Sequence, residues 1–188
     1  MRLVVGLGNP GREYEATRHN VGFWWVDGLA ARARATLRKE SRFHGEAGKL
    51  TDAGRECWLL KPTTFMNLSG RAVQALAQFY KIGPGEILVV HDELDLPPGT
   101  VKLKKGGGAA GHNGLKDVAA NIGQDFWRLR IGIGHPGERG EVSNYVLNAP
   151  RKEERPLIEE TVSRSLDAWP LLLEDRMEAA MLKLHTKP

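Results

Sequence analysis

The stretch LVVGLGNPGREYEATRHNVGFWW, residues 3–25, decides how the rest of the chain is read. Leu3, Val4 and Val5 form an apolar run of the kind that fills a strand buried on both faces. Gly6 to Gly11 is rich in turn formers, and a polar segment then delivers His19 just before a helical pattern opens at Asn20. Open α/β sheets hold their ligands in loops at the carboxyl ends of buried strands. Asn9 and His19 are therefore candidates for one site, the first as an amide donor and the second as a proton carrier. A turn followed by a helix-capping Asn-His pair would look the same in this stretch alone.

Outward from here, Val21, Trp24, Trp25, Leu29 and Leu37 recur at roughly helical spacing and predict an amphipathic helix from Val21 to about Leu37. Residues 43–50 and 56–61 read as strands joined by the turn Asp52-Ala53-Gly54, with Pro62 ending the second. After a loop at 63–70, Val73, Leu76, Ala77 and Tyr80 mark one face of a helix running to about Lys81, closed by Gly83-Pro84. Residues 86–91 read as a central strand with Asp92 at its carboxyl end. The Pro97-Pro98-Gly99 turn leads to the alternating Val101-Lys102-Leu103-Lys104. A glycine-rich loop follows from Gly106 to Gly114, then a short helix over 115–122 and a strand over 128–134.

Past Pro150, the residues Ile158, Val162, Leu166 and Trp169 predict one long helix, with Pro156 tolerable only in its first turn. Residues 175–184 predict another. The sum is an α/β fold: a single three-layer domain over residues 1–188, its twisted sheet flanked by helices. The sheet is expected to be mixed, because some strand pairs are joined by turns too short for a parallel crossover. No repeat, long linker or low-complexity segment marks a second domain.

Bulk properties narrow the class. At 188 residues, 41% hydrophobic and 27% charged, the chain has the composition of a soluble globular protein able to bury a core without staples. Its one cysteine, Cys57, sits beside Trp58-Leu59-Leu60 and reads as a buried, inert thiol. With no partner for a disulfide, it fits a reducing cytoplasm. No signal-peptide layout or membrane-length apolar run is present. A net charge of +4 permits nucleic-acid binding without demanding it.

Several chemistries are disfavoured. Gly6-Leu7-Gly8-Asn9-Pro10-Gly11 matches G-x-G-x-x-G after a strand, yet residues 11–18 open no apolar helix and no second strand ends in the acidic residue a dinucleotide needs. Ser69 lacks the first glycine of a nucleophile elbow. The histidines at 19, 44, 91, 112, 135 and 185 show no metal-ligand spacing. Asp92, Glu93 and Asp95 could hold magnesium, but such clusters after a strand more often cap a turn. What stands out is a set of carboxamides in glycine-bearing loops, Asn9, Asn67 and Asn113, together with His19 and Asp92. Converging on one cleft, they would suit a peptide backbone or an ester carbonyl. Lys102 with Lys104, and Arg128 with Arg130, form basic strand faces that are either solvated or a phosphate-accepting patch.

Asn9, His19, Asn67, Asp92, Asn113, Arg128 and Arg130 lie in segments that together resemble bacterial peptidyl-tRNA hydrolase, and Lys102 and Lys104 fall between two of them. The segments are GLGNPG, TRHNVG, KPTTFMNLSG, HDELDLPPG, GHNGLK and RLRIGIGHP, in order from Leu3 to about Asn148. The resemblance implies hydrolysis of the ester joining a peptide to the 3′-terminal ribose of tRNA, by a cytoplasmic monomer that uses no metal or other cofactor. By position in those segments, His19 corresponds to the catalytic histidine and Asp92 to its carboxylate partner. Asn9, Met66, Asn67 and Asn113 correspond to cleft residues, and Tyr14 to a substrate contact. Lys104 and Arg130, with Lys102 close by, correspond to the grip on the tRNA 5′-phosphate. Ala109-Ala110 departs modestly from the pattern. The competing expectation is a non-catalytic RNA-binding relative with the same fold.

Overall fold

The computed structural model describes residues 1–186. Seven strands form one mixed sheet: β1 (Leu3–Gly6), β2 (Arg38–Glu40), β3 (Gly45–Asp52), β4 (Arg55–Pro62), β5 (Ile87–Glu93), β6 (Val101–Lys105) and β7 (Trp127–Gly132). Their order across the sheet is β2-β3-β4-β1-β5-β7-β6. The central strands β4, β1, β5 and β7 run parallel, while the β2/β3, β3/β4 and β6/β7 pairs are antiparallel. The β3–β4 hairpin turns on Ala53 and Gly54, both at positive φ, the pair of conformations a two-residue loop needs to match strand twist.

Alternation along the central strands feeds two cores. Val4 of β1 and Leu88 and Val90 of β5 face one side, against α1 (Val21–Ala33), α5 (Arg155–Leu166), α6 (Trp169–Leu173) and α7 (Met177–His185). Leu3, Val5, Ile87 and Val89 face the other, against α2 (Ser69–Phe79) and α3 (Asn113–Ile122). A short helix, α4 (Val142–Val146), lies beyond the end of β7. On the first side, the Trp25 indole N–H donates to the buried Ser165 hydroxyl at 2.8 Å and ties α1 to α5.

Several boundaries shift from expectation, the strands expected over 43–50 and 128–134 by two residues or fewer, and three helix boundaries have an identifiable local feature. The first helix stops at Ala33, not Leu37, because Arg34 adopts a left-handed conformation and Ala35 N–H bonds back to Ala30 O. The long helix past Pro150 breaks after Leu166, the residue whose carbonyl the Pro170 ring would meet if the helix ran on. The helix expected over 115–122 begins at Asn113, with His112 as its N-cap. The sequence pattern does not predict the edge strand β2 or helix α4. The first has no apolar side chain, and the second buries only Val146.

The glycines of the opening stretch have a packing role. A Cβ on Gly22 would lie 2.4 Å from Val90 O, and one on Gly6 would lie 2.3 Å from Gly22 O. Helix α1 therefore sits directly on the ends of β1 and β5, which is the reason for the G-x-G-like spacing. The loops after β1, β4 and β5 and the start of α3 thereby gather at one edge of the sheet.

Candidate active site

Loops from four parts of the chain line a single cleft of about 450 Å³. The β1–α1 connection contributes Asn9 and His19, the β4–α2 connection Met66 and Asn67, the end of β5 Asp92, and the start of α3 His112 and Asn113. The sequence therefore names six of these seven residues. His112 is the addition.

Asp92 is buried at the centre. His19 Nδ1 lies 2.9 Å from its Oδ2, and His112 Nε2 lies 2.8 Å from its Oδ1. The other nitrogen of His112, Nδ1, accepts the Leu115 backbone N–H at 3.2 Å and so caps α3. An accepting nitrogen carries no proton, so neutral His112 holds its hydrogen on Nε2 and donates it to Asp92. Asp92 likewise accepts from His19 Nδ1–H, leaving the Nε2 lone pair of His19 as the basic atom of the trio.

The charges follow from this arrangement. Burial alone would raise the Asp92 pKa, but the imidazoles of His19 and His112 hold its carboxyl well below the usual carboxylate range. Burial pulls His19 down, while the charge of Asp92 and its hydrogen bond push it up more strongly. The net result lies above the ordinary imidazole value of 6.5. Beneath them His91 is held well below 6.5 by burial, with His112 and Arg128 adding to the effect.

Asn9 is fixed on both sides. Its Oδ1 accepts Met66 N–H at 2.7 Å, which leaves the Nδ2 hydrogens as donors. The buried side chain of Asn20 accepts Asn9 N–H at 2.8 Å and donates to Asn9 O at 2.9 Å. Asn20 is thus a cross-brace, not a side-chain cap for α1. Neither its role nor that of His112 has a local signature, since each acts across a tertiary contact. The nearest signal was their presence in the TRHNVG and GHNGLK segments.

Met66 is buried and packs so close to Gly114 that a Cβ there would lie 2.5 Å from its sulfur. Asn67 and Asn113 are exposed along the cleft. Phe65 on one side and Val146 and Leu147 of the α4 segment on the other supply apolar wall. Tyr14 is not brought into the cleft. It is half-buried in the turn at Arg12–Tyr14, where its carbonyl accepts both the N–H and the hydroxyl of Thr17.

The alternatives meet obstacles in the geometry. Ser69 is buried and its hydroxyl donates to Met66 O at 2.7 Å. Asp92 and Glu93 at the end of β5 and Asp95 just beyond it do not form a ligand cluster among the described residues: Asp92 faces the histidines, whereas Glu93 Oε1 accepts Arg130 Nε–H at 2.8 Å. His19, Asp92 and His112 do present atoms within 4.8 Å of one another that could ligate a cation. Those same nitrogens, however, are already engaged with the two oxygens of Asp92.

The antiparallel β6/β7 register sets Lys102 opposite Arg130 and Lys104 opposite Arg128. All four share one face, outside the cleft, with both lysines exposed. Arg128 is buried, donating to Gly106 O and Gly108 O, and its role there is to hold the glycine-rich loop. At the outer edge, His185 of α7 accepts Leu103 N–H and covers part of β6.

The family profile described as Peptidyl-tRNA hydrolase matches residues 3–188. A peptidyl-tRNA hydrolase of Methylobacillus flagellatus is 61% identical, over 100% of this chain and 97% of the relative. That of Nitrosospira multiformis is 58% identical, over 100% and 98%. The crystal structure of peptidyl-tRNA hydrolase from Acinetobacter baumannii superposes with a TM-score of 0.98 at 45% identity, covering 100% of this chain and 95% of the other.

Proposed function

The chain belongs to the peptidyl-tRNA hydrolase family and hydrolyses the ester joining peptide to tRNA, and we propose that His19, Asp92 and Asn9 carry that reaction. The observation that supports this most directly is the buried Asp92 carboxylate between two imidazoles, with His19 Nδ1 at 2.9 Å and His112 Nε2 at 2.8 Å, so that neutral His19 has its Nε2 lone pair free to take a proton. Neutral His19 takes a proton from water at Nε2 as the water oxygen attacks the ester carbonyl carbon. Asp92 stabilises the imidazolium that forms and keeps the ring in the productive tautomer. The oxyanion accepts from Asn9 Nδ2–H, a donor already fixed by Met66 and Asn20. Collapse expels the ribose 3′-oxygen, which takes the proton from His19, and free tRNA and a peptide carboxylate leave.

Asn67 and Asn113 are exposed along the cleft, where their amides can grip peptide backbone without reading side chains. Met66 forms the wall beside Asn9. Lys102, Lys104 and Arg130 hold a tRNA phosphate on the neighbouring sheet face, and Tyr14 takes no part in the chemical step. No metal is needed, because the water is activated by His19. No cofactor or second subunit is needed either, since one chain supplies the whole cleft and would act as a monomer. Among the described residues no helix is long and apolar enough to cross a membrane. The single buried thiol of Cys57 supports a cytoplasmic setting.

Incubation of the purified protein with peptidyl-tRNA should release free tRNA, and His19→Ala should abolish release while tRNA still binds. Binding without cleavage by the unaltered protein would identify it as a non-catalytic RNA-binding relative. Undiminished cleavage by His19→Ala would remove His19 from the mechanism.

A further inference from the structure

The residue before His19 points away from the cleft and is buried, with 4% of the Arg18 side chain exposed. Its Nη1 donates to Tyr145 O at 2.8 Å and reaches Asn148 O at 3.4 Å, while Nη2 donates to Glu154 at 3.1 Å. The guanidinium lies over the Tyr145 ring, 3.7 Å from its centroid, and Arg18 backbone N–H donates to Asn148 O at 3.0 Å. Tyr145 lies on α4, Asn148 just behind it, and Glu154 at the N-cap of α5, so Arg18 ties the α4 segment to the α5 N-terminus.

Helix α4 has five residues, too few to hold a position by its own hydrogen bonds. It carries Val142 and Val146, which with Leu147 form the apolar wall of the cleft. Besides Arg18, a second tie is the Tyr145 hydroxyl, which donates to Ile133 O at 2.6 Å, just past the end of β7. A charged, stacked fork adjacent to His19 thus grasps the far side of the element whose near side faces the substrate. Burying a cation is costly unless each contact repays it, and the Arg18 Nε has no hydrogen-bond partner among the described residues.

We propose that Arg18 is a positioning residue for the peptide: it fixes the α4 wall relative to His19 and so sets the width of the cleft along which the peptide lies. This rests on the hydrolase reading above. Arg18 touches none of the reacting atoms, so its effect belongs to peptide binding and grows with the length of peptide laid against the wall. A residue that merely held the fold together would affect all substrates alike.

The test compares tRNA carrying one N-acetylated amino acid with tRNA carrying an N-acetylated pentapeptide, in the unaltered protein, Arg18→Gln and Arg18→Lys. Arg18→Gln should raise KM for the pentapeptide substrate about tenfold more than for the short one. The acid limb of its kcat profile, set by His19 and Asp92, should stay in place. Arg18→Lys should recover only part of the loss, because an ammonium pairs with Glu154 but cannot fork to two carbonyls or stack as a plane. Equal KM increases for the two substrates, or a displaced acid limb, would overturn the proposal. If Arg18→Gln does not fold, Glu154→Gln weakens the same tie, and a KM ratio unchanged from the unaltered protein would count against the proposal equally. Failure of the unaltered protein to cleave either substrate would overturn the hydrolase reading, and this proposal with it.

Discussion

His19 Nδ1 stands 2.9 Å from Asp92 Oδ2, and the Asp92 side chain is only 2% exposed. At that distance and burial the carboxylate governs the protonation of the imidazole. The rate should fall with acid as His19 takes up a proton, with a midpoint above 6.5 because Asp92 raises its pKa. In Asp92→Asn the shape is kept but the charge is gone, and burial then acts on His19 unopposed. The midpoint should move below 6.5, and the maximal rate should drop by about 10²–10⁴ as the base loses its orientation and support. A pH profile of kcat/KM for both proteins is the check. An unmoved midpoint would separate Asp92 from His19.

His112 has two tasks that substitution can separate. Nδ1 caps α3 and Nε2 donates to Asp92. Alanine removes both, so His112→Ala should lose about 1 kcal/mol of stability as well as activity. Asparagine is a good N-cap but too short to span to Asp92, so His112→Asn should keep its Tm and still lose rate. Thermal melts beside single-turnover rates distinguish the two. A fully active His112→Asn would reduce His112 to a helix cap.

Stability should depend on pH in a direction set by His91, which is 1% exposed. Its Nδ1–H donates to Asp92 O at 2.8 Å and Arg128 Nε–H donates to its Nε2 at 3.4 Å, so the folded ring is neutral. The unfolded ring takes up a proton near 6.5, so stability present above 6.5 falls as the pH drops below it, by at most about 1.4 kcal/mol per pH unit. His19 has the opposite sign: its contribution is fully present below 6.5 and is lost as pH rises through its raised folded value. Asp92 contributes above the ordinary carboxylate range and loses that contribution only as pH falls below it. From pH 6.5 to about 5.5, then, His91 is the one of the three that changes. Urea midpoints over that interval should fall for the unaltered protein and be much flatter for His91→Gln.

Much of this was legible because the informative residues act locally. β1 and β5 are apolar runs buried on both faces, and residues at or beyond their carboxyl ends, such as Asn9 and Asp92, face the ligand edge of the sheet whatever surrounds them. The break between α5 and α6 escaped the periodicity because Ile158, Leu166 and Trp169 remain buried on both sides of it. Pro170 interrupts only the backbone. His112 was hidden for a different reason: its partner lies 20 residues away, and only the fold reveals the contact. For Arg128 the alternation leaves a solvated face and a phosphate-accepting patch as alternatives, and the guanidinium instead donates to two loop carbonyls.

The facing pairs Lys102–Arg130 and Lys104–Arg128 give the basic face an internal contrast. Lys102 and Lys104 are exposed, so replacing either with alanine should weaken tRNA binding and reduce the slope of log K against log salt by about 1. Their Tm and their cleavage of a short ester lacking tRNA should be unchanged. Arg130 is different, because its Nε–H donates at 2.8 Å to Glu93, whose side chain is 7% exposed and borders the cleft beside Asp92. Arg130→Ala leaves that carboxylate with Arg128 at 3.8 Å as its remaining charged partner, beside the Asp95 N–H that donates to it at 3.3 Å. A buried charge short of its partner destabilises the fold, and here it does so at the wall of the cleft. Arg130→Ala should therefore lower the Tm and slow the short ester, in addition to flattening the salt dependence. If Arg130→Ala matched the lysine variants in both respects, its bond to Glu93 would have no bearing on the site, and all three residues would serve the phosphate alone.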